Sequence, residues 1–400
     1  MKKTAVLLFL LLCVGFVACT AQQNNLVKTG FQFAGKQLKV AIDEVEKLRT
    51  GERMFPRSIR PDSSLMLVSP ADWTSGFFPG SLWYMYEYTK DNQWRTEAER
   101  FTAPIESQKT NGRTHDMGFK IFCSFGNGYR LTENPHYRDV MIESAYTLIT
   151  RFKPAAGILR SWDHNTDKWQ CPVIIDNMMN LELLFWAFRQ TNDSTFYKIA
   201  VSHAFKTIEN HFREDYSTYH VVDFDTLTGQ VLNRHTHQGL AHESTWSRGQ
   251  AWALYGFTMS YRETQEPAFL HQAQQTARFI FNHPNLPQDL IPYWDFDAPE
   301  IPNEPRDASA ATIAASALYE LSLYDKENAA QYLQWANTIL QNISAHYLAP
   351  LGSHYGFLLL HSTGSKAHGT EVDTPLVYAD YYFLEALLRK KKLETTGKLF

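Results

Sequence analysis

The feature that most limits how this chain can fold is a rhythm of two kinds of helical segment. Six stretches are apolar or small on nearly every side: 76–83, Asp116–Tyr129, Asp176–Ala187, Arg248–Gly256, Asp307–Leu318 and Ala379–Leu387. Others, such as 195–211 and 329–347, carry one apolar stripe and a charged back. A helix apolar all round is buried all round, whereas a striped helix lies on a surface. Alternation of the two kinds at a period of roughly 40–70 residues predicts helical hairpins closed into a ring. The expected fold is all-α, an (α/α)6 barrel of six inner and six outer helices in a single domain. A two-domain helical protein is the alternative. Strand-like alternation is confined to short pieces such as Tyr219–Phe224, which ends in the turn Asp225-Thr226-Leu227-Thr228-Gly229.

Composition narrows the function. With 38 Lys and Arg against 42 Asp and Glu and no basic block, the chain is poorly suited to nucleic acid. A 44% hydrophobic content excludes disorder. Ten Trp point towards carbohydrate, because sugar rings stack on flat aromatic faces, although Trp also fills cores.

The N-terminus reads as a targeting segment. Lys2 and Lys3 precede the apolar run Ala5–Ala18, so 1–18 is expected to be a signal peptide, too short for a membrane span. Phe16-Val17-Ala18-Cys19 has the form of a lipobox with Cys19 as the lipidated residue, and cleavage after Ala21 is the rival. The expected location is the periplasm of a Gram-negative bacterium, free or lipid-anchored, with 19–30 as a flexible tether and 31–395 as the catalytic domain. Cys123 and Cys171 are expected as two buried free thiols, with a disulfide between them as the alternative.

Polar residues stand at the starts of several all-apolar helices. Asp116 follows Thr114-His115, Asp176 follows Val173-Ile174-Ile175, Arg248 is followed by Gln250 and Trp252, and Asp307 follows Arg306. Each Asp could simply cap its helix. The apolar lead-in to Asp176 also favours a raised pKa, which suits a general acid, and a second carboxyl in the same cleft would raise it further. His235-Thr236-His237-Gln238 has a metal-like His spacing but no acidic or Cys partner, so ligand-facing His and Gln side chains are the expectation. Arg248 and Trp252, at i and i+4, would offer a guanidinium fork and an indole on one helix face. The competing reading is an Arg packed structurally over a Trp.

Four segments in order resemble glycoside hydrolase family 88, the unsaturated glucuronyl hydrolases: Thr114-His115-Asp116-Met117-Gly118-Phe119, Ile174–Leu181, Ser244–Trp252 and Arg306–Ala311. The resemblance implies an (α/α)6 barrel that removes a 4,5-unsaturated uronic acid from the non-reducing end of lyase-generated oligosaccharides. It implies Asp176 as general acid and base and Asp116 as the second essential carboxylate. It implies Trp73 and His115 as pocket residues around the unsaturated ring, and His220, Thr236, His237, Gln238, Arg248 and Trp252 as substrate contacts. Ser362 and Ser365 match a loop that holds a sulfated next sugar in some members, with Lys366 and His368 adding charge. No metal or organic cofactor is required, and the partners are uronate-containing oligosaccharides. The alternatives are an unsaturated rhamnogalacturonyl hydrolase acting on pectin fragments, a non-catalytic glycan-binding lipoprotein, and an (α/α)6 lyase or epimerase, which would need a Tyr or His base.

Overall fold

The computed structural model describes residues 26–400. The expected signal peptide and Cys19 lie outside the described residues. Twelve α-helices are arranged as hairpins. The outer members are α1 (26–48), α3 (Asn92–Thr102), α5 (Pro135–Ile149), α7 (Ser194–His211), α9 (Pro267–Asn282) and α11 (Ala329–His346). The inner members are α2 (Phe77–Thr89), α4 (Asn127–Thr132), α6 (Leu181–Thr191), α8 (Ser247–Thr264), α10 (Ala308–Tyr324) and α12 (Val377–Thr396).

Two inner helices begin irregularly. A π-helical stretch, Gly118–Gly126, leads into α4, and a 3-10 turn, Ile175–Asn180, leads into α6. Around the ring α2 packs on the π-helical stretch, α8 on the 3-10 turn and on α10, and α10 on α12. Contact between α12 and α2 closes the barrel. The six inner members are the six all-apolar stretches of the sequence.

Local chemistry explains the outer helices. Asp91, Asn134, Asp193 and Glu266 accept the amide two residues on at the starts of α3, α5, α7 and α9. Pro occupies the first position of α5 and α9, where no amide hydrogen is needed. Helix α1 starts at residue 26, so the last five residues of the expected tether are helical. The reason is apolar spacing, since Val27, Phe31, Ala34, Leu38, Ala41 and Val45 are all buried. Phe31 stacks on Tyr88 of α2 with ring centroids 3.9 Å apart.

Three small antiparallel sheets decorate the ring. They are β1 (Phe55–Ile59) with β2 (Leu65–Val68), β3 (Phe152–Lys153) with β4 (Ile158–Leu159), and β5 (Pro172–Ile174), β6 (Val221–Phe224) and β7 (Val231–His235) with β6 central. The β6–β7 turn has Gly229 at φ +75° and two amides donating to Asp225 Oδ1, the Asx geometry its sequence asks for. Cys123 and Cys171 are buried and free, so no disulfide joins them. Among the described residues no helix is long and apolar enough to cross a membrane.

Candidate active site

The starts of the inner helices and the loops before them meet at one mouth of the barrel. A cavity of about 360 Å³ opens there. A larger one, about 1030 Å³, opens at the opposite mouth among helix C-termini. Most of its charges are mutually paired, Arg130 with Glu87 and Arg262 with Glu182 among them. The smaller cavity holds Asp116 and Asp176, and the chemistry belongs to it.

Asp176 sits in the 3-10 turn, buried on its apolar lead-in. Burial pushes its pKa up to about 7, the Arg248 charge pulls against that shift, and the negative charge of Asp116 adds to it. Its Oδ2 has no hydrogen-bond partner and lies 3.6 Å from His220 Nε2. It does not act as a helix cap.

Asp116 stands two residues before the π-helical stretch. Thr114 Oγ1 donates to its Oδ2 at 2.6 Å, and His115 Nε2 lies 3.2 Å from its Oδ1. Burial holds the His115 pKa below the usual range, so the ring is neutral near pH 7. Asn180 ties the two carboxylate-bearing segments together, its Oδ1 accepting the amides of Gly118 (2.8 Å) and Phe119 (3.3 Å).

Of the residues singled out from sequence, Trp73, His115, Asp116, Asp176, His237, Gln238, Ser365 and His368 line the cavity. Trp73 is braced by Phe77, Phe119 and Tyr378. Gln238 Nε2 donates to Gly364 O at 3.1 Å, and Ser365 Oγ is 2.7 Å from His368 Nδ1. His220 stands behind Asp176.

Arg248 and Trp252 are not laid out as a sugar-facing pair. The Arg248 Nη atoms go to Asp307 Oδ2 (2.7 Å), Thr363 O (2.5 Å) and Gly364 O (2.5 Å), and its guanidinium lies over the Trp246 ring. Trp252 is fully buried against Phe119 and Tyr382. Arg248 therefore holds the loop at 363–364 and biases Asp176 from behind. Asp307 caps α10 through Ser309 N and also pairs with Arg248. Thr236 Oγ1 accepts from Gly239 N, and Ser362 is fully buried; neither lines the cavity. His235 takes a bond from Trp169 Nε1 and stacks on His242, and it does not line the cavity. Among the described residues no three His, Cys, Asp or Glu side chains converge to hold a metal.

Sequence reasoning missed several cavity residues: Arg57, Arg113, Trp162, His164, Thr370, Glu371 and Tyr378. Trp162 was within reach of the aromatic-platform argument. Nothing local marks it, because its position comes from a bridge to Thr114 on the other side of α5.

A partly protonated carboxyl beside a second carboxylate, under indole walls at one mouth of a helical barrel, defines a carbohydrate-active hydrolase. The Glycosyl Hydrolase Family 88 model matches residues 54–319. The chain belongs to that family. It is 47% identical over 397 residues to the unsaturated glucuronyl hydrolase of Formosa agariphila (strain DSM 15362 / KCTC 12365 / LMG 23005 / KMM 3901 / M-2Alg 35-1), covering 97% of this chain and 98% of that one. It is 30% identical to the unsaturated chondroitin disaccharide hydrolase of Streptococcus pneumoniae (strain ATCC BAA-255 / R6), over 84% of this chain and 86% of the other. A crystal structure of an unsaturated glucuronyl hydrolase specific for heparin superposes with a TM-score of 0.88 at 46% identity, over 93% of this chain and 98% of that chain.

Proposed function

We propose that this enzyme removes a 4,5-unsaturated uronic acid from the non-reducing end of lyase-generated, glycosaminoglycan-derived oligosaccharides. Relatives named for glucuronyl, chondroitin disaccharide and heparin activities support the substrate class. The observation that carries the chemistry is the buried Asp176 carboxyl, with its pKa near 7, beside Asp116.

The substrate is an enol ether, with C4=C5 conjugated to the ring oxygen. Asp176 gives its proton to C4, leaving oxocarbenium character at C5. The resulting carboxylate takes a proton from water as the water oxygen bonds to C5, which restores the acid. The C5 hemiketal opens to a ketone, and the hemiacetal left at C1 expels the aglycone. Because water attacks C5, a carboxylate pair flanking the glycosidic bond is not required.

Asp116 holds ring hydroxyls and, by its charge, keeps Asp176 protonated. Trp73 walls the ring, His115, His237 and Gln238 contact it, His220 backs Asp176, and Ser365 reaches the next sugar. Arg248 and Trp252 support from behind.

Loss of the alkene ultraviolet absorbance on lyase-generated disaccharides tests the reading. In heavy-isotope water, deuterium should appear at C4 and oxygen-18 at C5. Label at C1 instead would overturn hydration. Pectin-derived disaccharides, run in parallel, test the rhamnogalacturonyl alternative.

Residues 1–18 serve as an export signal in this reading, and Cys19 as a lipid attachment point that holds the enzyme on a membrane facing the periplasm. The charged and apolar patterning of that segment supports it. Cys19→Ser should move the protein from the membrane to the soluble fraction.

A further inference from the structure

Any substrate of the proposed class is an anion, so the charges facing the cavity matter. Two arginines line it, Arg57 and Arg113. Arg57 is already neutralised, since Glu371 takes its Nε (2.7 Å) and Nη2 (2.8 Å) and Asp72 takes its Nη1 (2.9 Å). Arg248, behind the wall, is held by Asp307 and two carbonyls. Arg113 is different. Among the described residues its guanidinium has no ion pair and no hydrogen bond. Asp163, one residue beyond Trp162 on the facing segment, is occupied by Arg151 (3.0 Å) and Arg160 (3.3 Å).

The position of Arg113 fixes what it can reach. Thr114 bridges Trp162, and His115 N donates to Ser161 O at 3.1 Å, so 113–115 is pinned against 161–162 along the cavity wall. His115 is buried beside Asp116 at the floor, while Arg113 is exposed at the lip. The reacting ring must sit on the floor against Asp176. The lip is one sugar further out. There Arg113 is joined by His164, which stacks on Trp162 at 17°, and Ser365 and His368 line the same cavity.

Building on the proposed function, we propose that Arg113 is a specificity residue for the sugar next to the unsaturated uronate, pairing with a sulfate ester on it. Its planar fork suits two oxygens of one sulfate. Trp162 and His164 offer the flat surface on which that sugar rests. The uronate carboxylate is excluded by depth, because it is attached to the reacting ring.

The test uses unsaturated disaccharides of one linkage, unsulfated and singly sulfated at each position of the reducing sugar. The enzymes are wild type, Arg113→Gln and Arg113→Lys. For at least one sulfated member, the KM ratio of sulfated to unsulfated substrate should rise about three- to tenfold in Arg113→Gln, with partial recovery in Arg113→Lys. The salt dependence of kcat/KM on that member should flatten. An equal KM rise on every disaccharide would overturn the proposal and move Arg113 to the uronate itself. No change on any sulfated member would overturn it too. If wild type processes none of the panel, the proposed function fails instead.

Discussion

His220 Nε2 faces Asp176 Oδ2 across 3.6 Å, and the ring's other nitrogen fixes which proton it carries. The backbone amides of His237 (3.0 Å) and Gln238 (3.1 Å) both donate to His220 Nδ1. An Nδ1 that accepts leaves the neutral ring's hydrogen on Nε2, pointing at the carboxyl. Burial, then the nearby charges of His237 and Arg248, holds the His220 pKa far below the usual range, so the ring stays neutral. One histidine thus faces the acid and anchors the loop after β7 that carries His237 and Gln238. His220→Ala should cut kcat/KM at least about tenfold and raise KM as well, because both tasks fail together. Steady-state kinetics with folding checked by circular dichroism would show it. A pure kcat loss would restrict His220 to the acid.

Activity should follow the protonation of Asp176. With its pKa raised to about 7 by burial, kcat/KM should be flat on the acid side of that value and fall about tenfold per pH unit above it. Asp176→Asn should lose at least about 10²- to 10⁴-fold and keep measurable substrate binding. A variant that retained near-wild-type turnover would remove Asp176 from the mechanism.

The same raised pKa carries a stability cost of predictable sign. An unfolded aspartate loses its proton near 3.8, and the folded Asp176 near 7. Between those values the unfolded chain ionises first, so stability falls as pH rises through the window and levels above it. Asparagine removes the penalty. Asp176→Asn should match wild type near pH 4 and exceed it near pH 8, by at most about 4 kcal/mol at about 1.4 kcal/mol per pKa unit. Denaturant titrations at the two pH values check this. The buried Asp380, whose pKa burial raises to about 8, is common to both proteins and cancels in the difference.

Arg57 clamps two walls of the pocket. Through Glu371 it holds the loop that carries Gly364 and Ser365, and through Asp72 it holds the turn that carries Trp73. Glu371 adopts φ +53°, a conformation that needs such an anchor. Arg57→Gln and Glu371→Gln should each raise KM, and the double variant should be little worse than either. The coupling energy should be about 1–2 kcal/mol. Trypsin should cut at Lys366 faster in all three. Additive effects would mean that the two residues act separately.

The barrel was readable from sequence because its inner helices are apolar on every side, and a closed ring of hairpins buries all six at once. Helix α3 was not, because its buried residues Trp94, Ala98 and Phe101 are diluted by Glu and Arg. Asp116 and Asp176 stood out as acids at the starts of apolar helices. Arg57, Trp162 and Glu371 did not, since each enters the cavity from a loop or short strand whose direction is set by distant partners. Arg248 and Trp252 were found as a pair but placed on the wrong side of the wall. Helical spacing gives a shared face and cannot say whether that face meets ligand or loop.

The two acids depend on how closely their helices approach, and one glycine sets that distance. A Cβ at Gly118 would lie 2.6 Å from Asn180 Cα, 2.8 Å from Asn180 Oδ1 and 3.0 Å from Met179 O. Gly118 is two residues from Asp116, and Asn180 is four from Asp176. The obstructing atoms include backbone, so a methyl group must push the π-helical stretch away from the 3-10 turn and stretch both Asn180 bonds. Gly118→Ala should cost about 1–3 kcal/mol by overpacking. It should also lower kcat more than tenfold, since displacement on this scale misplaces a reacting group. Its residual activity should fall at lower pH than in wild type, because separating the two segments eases the burial and the Asp116 charge that raise the Asp176 pKa. Denaturation and pH–rate profiles measure both effects. Wild-type stability together with wild-type turnover would show that the two helices have slack.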